Sequence, residues 1–296
     1  MLNITEYIKY EKFNIQNNTY HLAVYDIKEN DNYKDTILLL HGIDGLAKDF
    51  SYLANDLVKH NYRVILLDMF GRGKSSFLKN RELYINDFYT KILIEISDRI
   101  GLQNINICST SMGALLTISL CSHKNNIAKR IILNDIGPYV DPTRQLKLAQ
   151  FFNNIPSFTN YAEACNFLKN IYGLTGIETK EQWLYFFKSR ITYVNNSYRL
   201  HSDPNIFITF LENAKTMVPI DIWYHWDNIS PNTKILCLRG ELSPLFNKST
   251  LNRMLENNNC QSYTFKNIAH APMLFNKEQK DVIISWLEND NFIETS

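Results

Sequence analysis

Asn104-Ile105-Asn106-Ile107-Cys108-Ser109-Thr110-Ser111-Met112-Gly113-Ala114 is the stretch from which the rest of this chain can be read. Asn104–Cys108 reads as a short strand buried on both faces, and Met112–Ser122 reads as a helix that begins almost at once. The join between them is small-x-Ser-x-small. A turn this sharp crowds two backbones together, so the residues flanking the serine must be small, and the serine hydroxyl is left at the strand's C-terminal end. Ser109 and Gly113 fill the two small positions. Such a triplet also occurs in plain turns. Its placement between a buried strand and a helix is what marks Ser111 as a candidate nucleophile.

Outward from this turn the pattern repeats. Alternating stretches near Lys12–Gln16 and Tyr20–Asp26 read as an antiparallel strand pair. Thr36–Leu40, Arg63–Leu67 and Arg130–Leu133 are further buried strands, separated by helices near Asp49–Lys59, Tyr84–Ile100 and Met112–Ser122. Strands alternating with helices at this spacing give an α/β fold, with a mostly parallel sheet and helices on both faces. After the fourth buried strand the alternation stops. Gly137 to Asp227 is rich in aromatic residues and mainly helical, with helices expected over Asp141–Phe152, Ala162–Ile171 and Lys180–Arg190. The alternation resumes with a strand at Lys234–Leu238, a helix near Lys248–Glu256, a strand at Gln261–Phe265 and a helix at Lys277–Glu288. The chain therefore divides into a core domain (1–136 and 228–296) and a helical insertion (137–227), expected to sit as a cap over the strand ends, where open α/β sheets bind ligands.

Composition narrows the function classes. The chain has 296 residues, 45% hydrophobic and 21% charged, with a formal net charge of +1. That balance steers it neither to nucleic acid nor to an anionic membrane. Its five cysteines are odd in number, widely spaced and without a C-x-x-C, which argues against a disulfide framework or a zinc site. No leader-like apolar stretch opens the sequence and no run approaches the roughly 20 residues of a membrane helix. A cytoplasmic location is the expectation, with no metal or cofactor and no membrane or nucleic-acid partner. Gly71-Arg72-Gly73-Lys74-Ser75 ends like a phosphate-binding loop, but the first glycine of that motif is replaced by Asp68, so it is read as a turn.

Acyl transfer needs more than a serine. Two backbone N–H groups must face the developing oxyanion. Met112, after the serine, is one candidate donor, and Ile43 in His41-Gly42-Ile43-Asp44-Gly45, after the first buried strand, is the other. His270, in the loop between the last strand and the last helix, is the candidate general base.

His41-Gly42, Asp68-Met69-Phe70-Gly71-Arg72-Gly73-Lys74-Ser75, Thr110-Ser111-Met112-Gly113, Leu133-Asn134-Asp135-Ile136-Gly137-Pro138, Tyr198-Arg199-Leu200 with Asp203-Pro204, Trp223 with Trp226-Asp227, Leu238-Arg239-Gly240-Glu241 and His270-Ala271-Pro272 together resemble the capped α/β-hydrolase family, in its bacterial serine hydrolase and esterase branch. The likeness runs over nearly the whole chain and implies the α/β-hydrolase fold. Relatives carry their triad acid in an R-G-x-x-S-D run, and here Pro244 stands in its place. Two carboxylates could substitute: Asp135, after the fourth buried strand, which is preferred, and Glu241. Ser109, Ala114 and Ala269 also stand where relatives usually have Gly. The resemblance implies a serine hydrolase that cleaves a small-molecule carboxylic ester or thioester through an acyl-enzyme on Ser111. A serine-dependent lactonase or carbon–carbon hydrolase would use the same apparatus, and the altered loops also allow a non-catalytic binding protein on a degenerate scaffold. Trp183, Phe186, Tyr198 and Trp223 are candidates for an apolar substrate pocket, although a helical insertion needs such residues for its own core.

Overall fold

The computed structural model describes residues 2–257 and 259–289; Met1 and 290–296, the outer ends of the expected core domain, lie outside the described residues. Eight strands form the main sheet: β1 (Ile8–Ile15), β2 (Asn18–Ile27), β3 (Asp35–Leu40), β4 (Tyr62–Asp68), β5 (Ile105–Thr110), β6 (Ala128–Asn134), β7 (Lys234–Gly240) and β8 (Cys260–Phe265). Their spatial order is β1-β2-β4-β3-β5-β6-β7-β8. β2 runs antiparallel to both neighbours, and every pairing from β4 to β8 is parallel. The helices are α1 (Ser51–Lys59), α2 (Asn86–Arg99), α3 (Met112–His123), α4 (Pro142–Asn153), α5 (Tyr161–Tyr172), α6 (Lys180–Arg190), α7 (Pro204–Ala214), α8 (Trp223–Asp227), α9 (Lys248–Leu255) and α10 (Lys277–Glu288). None of the described helices is long and apolar enough to cross a membrane.

The continuous apolar runs follow from burial on both faces. In β3, Leu38 and Leu40 join the cluster that packs with α2 and α3, while Ile37 and Leu39 join the cluster with α1 and α10. Each such side chain contributes about 1.5–3 kcal/mol on leaving water. The register matters most for function. Leu40 is paired with Ser109, Thr110 with Asn134, and Asn134 with Leu238. The C-terminal ends of β3, β5, β6 and β7 therefore finish level, and the loops that follow them meet at one edge.

Between β6 and β7 lies the insertion. A two-residue antiparallel ribbon, Tyr139–Val140 with Ile220–Asp221, closes its neck. The closure falls inside the expected 137–227 boundary, because α8 lies beyond the neck and packs on α3, with His225 Nδ1 3.1 Å from Ser122 Oγ. Local chemistry starts the helices of the insertion. Asp141 and Asp203 accept N-cap hydrogen bonds with proline at the first helical position of α4 and α7, and Thr179 with Gln182 forms a capping box on α6. Phe152 of α4 stacks on Phe207 of α7 with ring centroids 5.2 Å apart.

The turn between β5 and α3 has almost no spare room. A Cβ on Gly113 would lie 2.5 Å from the Leu40 carbonyl oxygen and 2.8 Å from that of His41. Both obstacles are backbone and cannot rotate away. Gly113→Ala is therefore expected to lower unfolding free energy by about 1–3 kcal/mol, measured by chemical denaturation. An unchanged midpoint and slope would contradict this packing.

Candidate active site

Ser111 sits on the turn with φ +52° and ψ −118°, a strained backbone for a residue with a side chain. The strain is over-determined from three sides. Gly113 lies against β3, the Ser111 N–H donates to Asn134 O at 3.0 Å, and the Thr117 hydroxyl lies 2.9 Å from both Ser109 Oγ and Gly113 O. Ser109, where relatives usually have glycine, fits because its hydroxyl finds these buried partners.

Three side chains from three loops then meet. His270 Nε2 is 3.0 Å from Ser111 Oγ, and His270 Nδ1 is 2.7 Å from Asp135 Oδ2. Asp135 is fully buried, at the C-terminal end of β6, with φ +64°. Its other oxygen accepts from Gly240 N–H at 2.8 Å, and its own N–H donates to Leu238 O at 2.8 Å. The carboxylate is thus anchored to β7 as well as β6. Glu241 is placed otherwise: its carboxylate accepts from Asn267 N–H at 2.9 Å on the exposed side of the loop. Pro244, whose ring carries no acid, offers only its carbonyl, which accepts from Arg144.

The loop after β3 is held just as firmly. His41 is buried, and burial, reinforced by the nearby Arg72 charge, pushes it down to about 3. It is therefore neutral, with Nδ1–H donating to Gly42 O at 2.7 Å and Nε2 accepting from Met69 N–H at 3.0 Å. Arg72 Nε donates to Ile43 O at 2.8 Å, while its Nη2 meets Met112 Sδ at 3.5 Å. Neither the Ile43 nor the Met112 N–H donates to another protein group among the described residues. Met112 opens α3, so its free amide is one of the orphan donors at the positive end of a helix. Gly71-Arg72-Gly73-Lys74-Ser75 wraps the Asp68 carboxylate, which accepts from Ala47 N–H, Lys74 N–H and the Tyr25 hydroxyl. A Cβ on Gly73 would overlap that carboxylate at 2.0 Å, so the segment is a structural turn.

Two cavities meet at Ser111. One, of about 120 Å³, is lined by His270, Asp49, Phe151, Tyr172 and Arg190 among others. The second, of about 230 Å³, is lined by Met112, Arg72, Leu115, Gln145 and Phe210 among others. The described residues include no group of three or more His, Cys, Asp or Glu that could hold a metal ion.

The family model for the alpha/beta hydrolase fold matches residues 35–271. The chain belongs to the α/β-hydrolase fold family. It is similar to a solved structure from Rickettsia typhi, with TM-score 0.86 and 29% identity over 96% of this chain and 99% of that one. It is 24% identical to the 3-hydroxybutyrate-oligomer hydrolase of Cupriavidus necator, over 82% of this chain and 85% of the relative. It is 25% identical to a 2-hydroxy-6-oxononadienedioate/2-hydroxy-6-oxononatrienedioate hydrolase of Klebsiella pneumoniae, over 70% of this chain and 71% of that relative. These relatives support hydrolytic chemistry.

In this α/β-hydrolase the four aromatic residues expected around the substrate lie elsewhere. Trp183 packs on Phe187, with ring centroids 5.4 Å apart, and the fully buried Phe186 packs on Tyr172 at 4.8 Å. Tyr198 belongs to a ribbon edge against Phe158, and Trp223 lies under the Arg253 guanidinium, 3.7 Å from its ring centroid. None of the four lines either cavity at Ser111. They are spent on the insertion's own core and on its junction with the sheet. The lining comes instead from α4, whose Gln145, Leu148 and Phe152 share one face at helical spacing. That periodicity was present in the sequence. Arg190, Arg72 and Asn134 were also missed. Asn134 Nδ2 donates to Pro272 O at 2.8 Å and so fixes the loop that carries His270.

Arg190 of α6 is buried and reaches across to the core, donating to Asp44 and, at 2.7 Å, to Asp49 Oδ2. Burial drives the Asp49 carboxyl up from the ordinary 3.8 to about 6, against the pull of Arg190. A carboxyl raised in the folded state takes up its proton before the unfolded chain does. Its contribution to stability is therefore present below about 3.8 and lost as pH rises to about 6. Wild type is expected to gain stability relative to Asp49→Asn as pH falls from 6 to 4, with the difference flat above 7, in denaturant titrations across that range. The opposite slope would show that the ion pair outweighs burial.

Proposed function

We propose that this α/β-hydrolase is a serine hydrolase that cleaves a carboxylic ester or thioester of a small molecule. The observation that carries the reading is the unbroken chain from Ser111 Oγ through His270 to the buried Asp135, with contacts of 3.0 and 2.7 Å. Ser111 Oγ attacks the acyl carbon while His270 Nε2 takes its proton. Asp135 accepts from Nδ1–H, fixes the tautomer and stabilises the imidazolium that forms. The charge that builds on the carbonyl oxygen is met by the Ile43 and Met112 N–H groups, which have no other protein partner among the described residues. Collapse expels the leaving oxygen or sulfur, protonated by His270, and leaves Ser111 acylated. Water, activated by the same imidazole, then releases the acid. The insertion serves as the cap that walls the site.

The ester reading has further support. Oligomers of a hydroxy acid are joined by ester bonds, and the similarity to the Cupriavidus necator protein spans more of both chains than the similarity to the Klebsiella pneumoniae protein. A non-catalytic scaffold is motivated by Pro244 and the lost glycines; the Asp135 carboxylate 2.7 Å from His270 weighs against the first of these.

Removing the acid's role costs about 10⁴ in turnover in enzymes of this type. Asp135→Asn is therefore expected to lower kcat on short-chain 4-nitrophenyl esters by about 10³–10⁴, while Glu241→Gln stays within about threefold of wild type. Steady-state kinetics on the folded variants check both. A large loss in Glu241→Gln with little change in Asp135→Asn would reverse the assignment.

A further inference from the structure

The two cavities that meet at Ser111 share a short stretch of wall. Ile43, Ser111 and Leu148 line both. Ile43 and Ser111 belong to the core, while Leu148 comes from α4, half-buried and packed on the main apolar cluster. Its side chain is therefore the insertion's contribution to the wall between them. Each cavity has its own way to solvent, since Phe151 of the smaller is exposed, as are Ile85 and Asn213 of the larger.

On the serine-hydrolase reading given above, the reaction assigns the two sides. His270 must hand its proton to the leaving atom, so the leaving group lies where His270 is. His270 lines the smaller cavity and not the larger. The acyl chain then has the larger one, of about 230 Å³.

The surface that cavity offers is chiefly hydrocarbon, supplied by Leu115, Ile136, Val140, Phe210 and Ile220 among others. Arg72 and Tyr84 in the same wall spend their polar atoms on the protein. Arg72 is fully buried and donates to Ile43 O, Phe70 O and the Tyr89 hydroxyl. The Tyr84 hydroxyl donates to Asp203 and accepts from Leu78 N–H, both at 2.7 Å. Gln145 is buried, and its Oε1 has no accessible surface. A charged acyl chain would give up water here for little in return. Each methylene buried there instead gains about fourfold in binding.

We propose that Leu148 is the partition that sorts the substrate, with an unbranched hydrocarbon acyl chain in the larger cavity and the leaving group in the smaller. An acyl group branched next to its carbonyl must pass two arms beside Leu148 and is refused.

The test is a panel of 4-nitrophenyl esters with one leaving group and four acyl groups: acetyl, hexanoyl, its isomer 2-ethylbutyryl, and hemisuccinyl. Each kcat/KM is divided by the ester's rate of hydroxide hydrolysis, which removes intrinsic reactivity. Wild type is expected to favour hexanoyl over each of the other three by at least ~10-fold. In Leu148→Ala the preference for hexanoyl over 2-ethylbutyryl is expected to fall at least ~5-fold. Phe210→Trp and, independently, Ile220→Trp narrow the larger cavity and are expected to lower the hexanoyl-to-acetyl ratio at least ~5-fold, while Phe151→Trp, in the smaller cavity, moves that ratio by less than about twofold. Because each readout is a ratio within one protein, a general loss of activity does not move it. A wild-type preference for the hemisuccinyl ester, indifference to chain length or branching, or an isomer ratio unmoved by Leu148→Ala would overturn the partition and leave the hydrolase reading standing. So would a hexanoyl-to-acetyl ratio that responds to Phe151→Trp and not to the other two. If no ester in the panel is turned over by folded wild type, the hydrolase reading falls and the partition falls with it.

Discussion

The hydrogen bond from His270 Nδ1 to the buried Asp135 carboxylate is the contact on which the site turns. A carboxylate with no exposed surface must be fully paired. Asp135 is, because Gly240 N–H takes its second oxygen. That pairing requires β6 and β7 to end level, which the parallel register supplies. It also requires the loop after β8 to fold back over the sheet edge, and Asn134, one residue earlier, holds that loop through Pro272 O. The positions of Asp135, His270 and the strand ends are one constraint expressed three times. The same logic bears on Pro244 in the loop after β7: on the proposed reading Asp135 already bonds the imidazole, so that loop has no acid to supply.

Two buried arginines extend the order outward. Arg72 fixes the carbonyl of Ile43 and touches Met112, so the two loops that carry these residues beside Ser111 hang from one guanidinium. Arg190 holds Asp44, the residue after Ile43, and so couples α6 of the insertion to the same loop. A buried ion pair adds little net stability but is costly to break. Its effect here is geometric, in that the insertion and the β3 loop keep a fixed relation around the smaller cavity.

Much of this was legible in the sequence, and the reasons differ by element. The buried strands announced themselves because a strand covered on both faces must be apolar at every position, as Ile37–Leu40 is. The turn at Ser111 was readable because sterics leave few residue choices at 109 and 113. The pocket was not readable from aromatic content, since Phe186 and Trp183 are as useful to a helical core as to a ligand. Gln145, Leu148 and Phe152 recur at helical spacing along α4, but such spacing gives no direction until the partner surface is known. Arg72 was hidden inside a motif whose glycines serve the Asp68 turn. Asp135 and Glu241 could not be told apart in the sequence, because both lie in loops at the same edge; in the structure the Asp135 carboxylate meets His270 and the Glu241 carboxylate meets the Asn267 N–H.

The central claim is that Ser111 is an activated nucleophile, and its reactivity toward a fluorophosphonate tests that most directly. Intact-mass analysis of the folded protein after exposure to the probe should show a single adduct, with peptide mapping placing it on Ser111. Loss of the adduct in Ser111→Ala would complete the result. An unlabelled, folded wild-type protein, or an adduct on another residue, would contradict the account.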